Sequence, residues 1–381
     1  MSSPMPTLRK IPERAFFCFF MVFTFFGGFE YIFFSRFYVA PSEEALLWIF
    51  ATNISVLLGW LLWALFGQAS IFQVSDRRSE MVIKPGWGIN CILITSLFLC
   101  GLYFYLYYEG FSFTKKIFGD GVSESERPDV SGALPHFYSY SILVTSFLIP
   151  CLVNYFAIYF KRKGLKNIQA LSLIFISLIF SISLGNKSIP LIIIFYCLFF
   201  VGGDGLFKKS LLFFVMFFTV YLFYKSYEFE GSVLEYFLEA LISVYRRVVV
   251  INTSAMGVAF DELILVNEKV PHGFSHINQY LFYLIYDYPV GGAPLPIGAE
   301  VVYYLGIGAW SLFLVSFIFF FFFLLRAVIL KNTHSSALHA NQFLFFYGAI
   351  ILATASIDSF IMRSLLPMLI IAIASKIRLI K

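Results

Sequence analysis

Long apolar runs, broken by short polar stretches, repeat along most of the chain. A helix needs about 20 apolar residues to cross the hydrocarbon core. The pattern predicts membrane helices over residues 15–34, 45–66, 90–108, 137–160, 168–184, 189–201, 211–224, 298–325, 342–357 and 364–374. The expected fold class is therefore all-α, a polytopic integral membrane protein of about ten transmembrane helices. The longest interruption, residues 225–297, separates an N-terminal region of seven spans (1–224) from a C-terminal region of three (298–381).

Two stretches depart from the simple pattern. Within the interruption, Leu234, Phe237, Leu238, Leu241, Ile242 and Tyr245 recur every three or four residues, with Glu235 and Glu239 on other faces. That spacing predicts an amphipathic helix over 232–252, suited to lying along a membrane surface. Residues 189–201 are only about 20 Å of helix, short of a roughly 30 Å core. With 168–184 they form either a full hairpin or a re-entrant one, its tip being Gly185-Asn186-Lys187-Ser188. A lysine held at membrane depth is expensive and marks a functional site, unless it snorkels to the headgroups.

Composition closes off a soluble protein. Hydrophobic residues make up 60% and charged residues 13%, with 50 phenylalanines, against about 45–50% and about 25% in soluble domains. Lys and Arg collect in alternate loops: Arg9, Lys10 and Arg14, then Arg77, Arg78 and Lys84, then the run from Lys161 to Lys166. Lys208 and Lys209, Arg326 and Lys331, and Lys376 to Lys381 continue the series. Basic residues favour the cytoplasmic side, so both termini are expected there and residues 225–297 outside. The net charge of +5 then reflects loop retention and calls for no nucleic acid. Cys18, Cys91, Cys100, Cys151 and Cys197 lie in or beside spans without metal-ligand spacing, as small apolar filler does; neither a metal nor a cofactor is expected.

The polar chemistry gathers in the outer segment. Arg246-Arg247 follows the amphipathic helix directly, and arginine's fork of donors matches phosphate oxygens; pairing with Glu239, Asp261 or Glu262 is the structural alternative. His272 and His276 are four apart, but Gly273 opposes a helix there, so a general base or a sugar contact is weighed against a loop with no role. Asp287 opens a Pro/Gly-rich turn running to Glu300, which stands at the start of the next predicted span, where a carboxylate also serves as a plain helix cap. Arg363 and Asp358 flank the last outer turn.

The run Gly298-Ala299-Glu300-Val301-Val302-Tyr303-Tyr304-Leu305-Gly306-Ile307-Gly308, after its proline-rich turn, resembles the Pro-Pro…Ile-Gly-Glu…Tyr…Gly pattern of bacterial O-antigen polymerases, the Wzy-type oligosaccharide repeat-unit polymerases. His272-Gly273-Phe274-Ser275 is similar to the Gly-x-Ser upstream of that pattern. Arg246 and Arg247 fit the arginine of the preceding loop helix, and the Gly185–Ser188 tip resembles a short polar turn earlier in those chains. The resemblance implies a glycosyltransferase of the inner membrane, active at its periplasmic face, that joins undecaprenyl-diphosphate-linked oligosaccharide units. A chain-length regulator and a flippase are its implied partners, besides the lipid-linked donor and acceptor. Such a reaction needs cations at the departing diphosphate, for which Arg246, Arg247, Lys187 and Arg363 are candidates. Its catalytic candidates are Arg247, as a cation, with His272, His276 and Glu300 as acid–base groups, and Asp287, Asn278 and Tyr303 are the candidate sugar contacts. An O-antigen ligase or a lipid-linked oligosaccharide flippase is the alternative, although no internal repeat of the kind common in transporters stands out.

Overall fold

The computed structural model describes residues 41–66, 86–111, 114, 134–163, 168–185, 188–201, 206–225, 232–245, 251–274, 276–287 and 292–377. All regular structure among them is helical. In chain order the main helices are α1 (Glu43–Phe66), α2 (Trp87–Tyr107), α3 (residues 137–163), α4 (Ile168–Ser183), α5 (Ser188–Val201), α6 (Leu206–Lys225) and α7 (Val233–Tyr245). They continue as α8 (Ile251–Ala259), α9 (Ile277–Tyr286), α10 (Ile297–Leu305), α11 (Ala309–Asn332), α12 (Leu338–Thr354) and α13 (Ile357–Ala374). Five segments are long and apolar enough to cross a membrane: Glu43–Phe66, Trp87–Gly110, Phe137–Phe160, Ala309–Asn332 and Ile357–Ala374. Their exposed Ile54, Phe98, Phe313, Phe317 and Phe321 side chains suit lipid and would be a liability in water. The protein is a helical membrane protein. The helix expected over 15–34 lies outside the described residues.

One expected span is corrected. The apolar run 298–325 is two helices: α10 ends at Gly306, which takes φ +82°, and α11 starts at Ala309. A left-handed glycine closes a helix at no steric cost, and a hydrophobicity pattern does not register it. Glu300 therefore belongs to a short helix preceding the span. Arg326, expected in a cytoplasmic loop, is instead inside α11, buried, with its guanidinium 4.6 Å from the Phe345 ring centroid.

The chain divides into two compact units, each assembled from separated stretches: Met1–Ser75, Ile242–Lys331 and Phe345–Ile361 in the first; Asp76–Leu241, Asn332–Leu344 and Met362–Lys381 in the second. In the first, α1 and α11 approach closely at Gly59, where an added Cβ would run into the carbonyl oxygen of Ser316. Ser316 Oγ donates to the Ser55 carbonyl at 2.7 Å. Small residues that bring backbones together are how membrane helices pack without a hydrophobic drive. Gly298 does the same for α10, where an added Cβ would meet Thr52 Cγ2 of α1 at 3.0 Å.

In the second unit, two prolines inside spans are each preceded by a wide π-turn. Val144–Leu148 precedes Pro150 in α3, and Ile361–Leu365 precedes Pro367 in α13. Proline has no N–H to donate and its ring pushes away the carbonyl four residues back. For Pro367 that carbonyl is Arg363, and it accepts a hydrogen bond from Ser146 Oγ at 3.1 Å, out of the π-turn of α3. Ser146→Ala should therefore lower the unfolding temperature of the purified protein, by the equivalent of about 1–3 kcal/mol for an orphaned buried acceptor. An unchanged transition would mean that the carbonyl is satisfied in some other way.

Candidate functional site

Three stretches far apart in sequence supply one polar cluster in the first unit. The loop after α8 sets its position. Asn267 turns the chain with φ +54°, and Glu268 N–H closes the turn onto the Leu263 carbonyl at 2.8 Å. Val270 N–H then donates to Tyr303 Oη at 3.0 Å, tying the loop to α10. His272 is exposed in the turn that follows. His276 takes the extended N-cap position of α9, so the two histidines do not share a helical face.

From His276 the cluster continues to α13. His276 Nδ1 lies 3.5 Å from Asp358 Oδ2, with both side chains more than half exposed. Solvent screens such a pair and makes it worth little as a stabilising contact, but it brings a carboxylate beside the imidazole. Asp358 is in the first turn of α13, where the helix N-terminus favours its charge. Ser356 caps that turn, its Oγ accepting from Ser359 N–H at 3.3 Å.

Glu300 holds the same helix start from the other side. It is buried, and its Oε2 accepts from Ile357 N–H at 2.7 Å. A first-turn N–H has no partner within its own helix, so Glu300 of α10 supplies one across the tertiary fold. Burial pushes the Glu300 carboxyl above its ordinary value; the Ile357 N–H opposes that shift and the neighbouring Asp358 charge adds to it. Tyr304, exposed on the same helix, is also raised, chiefly by desolvation and next by Glu300. The cluster thus joins a buried carboxyl that holds its proton to a higher pH than usual with a solvent-facing histidine–aspartate pair.

The remaining sequence candidates divide clearly. Asn278 works in the backbone frame: its Nδ2 donates to the Ala293 carbonyl at 3.2 Å, and Ala293 N–H returns a bond to the Asn278 carbonyl at 2.9 Å. That pair pins the proline-rich turn to α9. Asp287 ends α9 in a left-handed conformation (φ +51°), its N–H donating to the Tyr283 carbonyl at 2.7 Å. The Tyr303 hydroxyl is engaged by Val270, as described. Arg363, in α13, donates from Nη1 to Ser141 Oγ at 3.2 Å, and its guanidinium lies 5.4 Å from the Tyr138 ring centroid. Arg246, Arg247 and Lys187 lie outside the described residues. The amphipathic helix is confirmed over Val233–Tyr245, with Ser232 and Glu235 forming a capping box. Leu234, Leu238, Leu241 and Ile242 remain exposed on it. Among the described residues no group of three or more His, Cys, Asp or Glu side chains has metal-holding geometry.

In the sequence Asp358 is legible only as a charge beside the last predicted turn between spans. A Ser356-x-Asp358 helix start gives the local signal for its position, but nothing in the sequence joins it to His276. No family model, curated protein or solved structure matches this chain.

Proposed function

We propose that this protein is a polyprenyl-diphosphate-dependent glycosyltransferase that joins lipid-linked oligosaccharide repeat units into a surface polysaccharide, at the outer face of the bacterial inner membrane. The observation that carries the reading is the convergence of His276, Asp358 and Glu300 on the start of α13, itself long and apolar enough to cross a membrane. In this reading the donor glycan leaves its lipid diphosphate and passes to a hydroxyl of the incoming unit. His276, oriented by Asp358, takes the proton of that hydroxyl. The departing diphosphate needs positive charge, for which the resemblance offers Arg246 and Arg247 as candidates. The distribution of Lys and Arg favours both termini in the cytoplasm and residues 225–297 outside, where the driving force would be the sugar–diphosphate bond itself.

Deleting the protein tests the assignment through the surface glycan. Polymerase loss leaves one repeat unit per anchor, seen on gels as a single band in place of a ladder. A glycan-free surface with long lipid-linked chains would point to a ligase. Units trapped on the cytoplasmic leaflet would point to a flippase. A normal ladder would end the proposal.

A further inference from the structure

Beside the cluster the first unit carries an aromatic surface to which the sequence assigned no role. Phe274 ends the turn begun at Pro271, its N–H donating to the Pro271 carbonyl at 3.3 Å. Its ring packs against two tyrosines one turn apart on α9: 5.0 Å to Tyr280 and 5.4 Å to Tyr283, between centroids. The two tyrosine rings are inclined by only 20°, at 6.4 Å. All three keep solvent-accessible surface. Glu262 and Glu268 are both exposed, and their charges add to the desolvation that raises the Tyr280 hydroxyl. The residue between Tyr303-bound Val270 and Glu268 is Lys269, so the fringe of the surface is mixed but net acidic.

Exposed aromatics in a membrane protein often anchor at the lipid interface. Two exposed carboxylates whose charge is felt at the Tyr280 hydroxyl argue against that here, because a carboxylate loses hydration as it approaches lipid. Nor do the rings close at right angles into the box that a quaternary ammonium fills; Phe274 is tilted 55° and 40° to the tyrosines. A ligand that fits must be apolar on one face and rich in hydroxyl donors around its rim. A pyranose has that character: its C–H face lies on aromatic rings, while its hydroxyls donate to carboxylates.

We propose that Phe274, Tyr280 and Tyr283 form a subsite for a neutral sugar ring of the oligosaccharide substrate, with the exposed carboxylates Glu262 and Glu268 on the same loop region. The subsite lies two residues before, and four and seven residues after, His276 along the chain, on the loop and helix that meet at it. It deepens the polymerase reading, on which it rests for the origin of the sugar, and it selects against acidic sugars.

Binding without turnover separates the two ideas. Full-length protein in nanodiscs is probed by saturation-transfer NMR with maltotriose, chitotriose and trigalacturonate, with choline as competitor. The expected result is transfer to the two neutral trisaccharides and none to trigalacturonate, undisturbed by choline. Tyr283→Ala and Phe274→Ala should each weaken neutral-sugar binding about tenfold, while Tyr283→Phe retains it. No transfer to either neutral sugar, wild-type binding by both alanine variants, or displacement by choline would each overturn the subsite. If binding follows the expected pattern but deletion leaves the surface ladder unchanged, the subsite stands and the polymerase reading falls.

Discussion

His276→Ala should reduce polymer formation by about 10²- to 10⁴-fold, the usual contribution of a positioned general base, with the protein still present in the membrane at normal level. The expectation follows from geometry. His276 stands at the N-cap of α9, its imidazole is exposed, and Asp358 Oδ2 lies 3.5 Å from its Nδ1. Asp358→Asn then provides the finer test. Asparagine keeps the size of the side chain and costs the helix start only its charge, about 0.3–1 kcal/mol, while Ser356 still caps the turn. A positioning role predicts that turnover falls with little change in the substrate concentration for half-maximal rate, and that Asp358→Glu recovers part of the loss. A purely structural role predicts a lower unfolding temperature and no such split. Ladders of wild-type intensity from His276→Ala would remove the histidine from the mechanism.

How far the sequence could carry this depended on the kind of signal each feature leaves. Apolar length fixed the membrane class, because hydrocarbon thickness sets a minimum run of apolar residues. The span expected over 137–160 appears as Phe137–Phe160, and 45–66 falls within Glu43–Phe66. The same criterion fused α10 with α11, since Gly306 breaks the helix through its backbone and hardly alters hydrophobicity. Gly273 was informative because it argued for a turn, and α9 indeed begins only at Ile277. Long-range pairings left no local trace. Nothing near Glu300 announces that its partner is the N–H of Ile357, and nothing near His276 announces Asp358. Tyr303 and Asn278, placed among the sugar contacts by motif position, prove to have backbone partners that hold the loop and turn around the site. Motif position alone does not separate a residue that holds the backbone from one that faces solvent, because both kinds of contact are made by residues distant in sequence.

Glu300 separates structure from chemistry most sharply. Glu300→Ala removes the acceptor for Ile357 N–H in a buried place, at about 1–3 kcal/mol, and should lower the unfolding temperature at every pH. Glu300→Gln keeps an acceptor and fixes the neutral form. Burial, reinforced by Asp358 and opposed by the Ile357 N–H, holds the native carboxyl above the ordinary 4.5 of a glutamate. The native state therefore keeps this proton more readily than the unfolded chain does. The stabilisation linked to that proton is complete below the unfolded value and is lost as pH rises through the native one. Wild-type stability should accordingly decline across that window relative to Glu300→Gln, in which the group no longer titrates. Thermal unfolding of both proteins in nanodiscs between pH 4 and pH 8 reads the difference; parallel curves would mean that Glu300 does not titrate differently on folding. Activity completes the argument, because the glutamine variant keeps the fold's hydrogen bond but cannot take up or release the proton. A stable, inactive Glu300→Gln assigns the carboxyl to the reaction, whereas a stable and active one leaves it as the clasp between α10 and the first turn of α13.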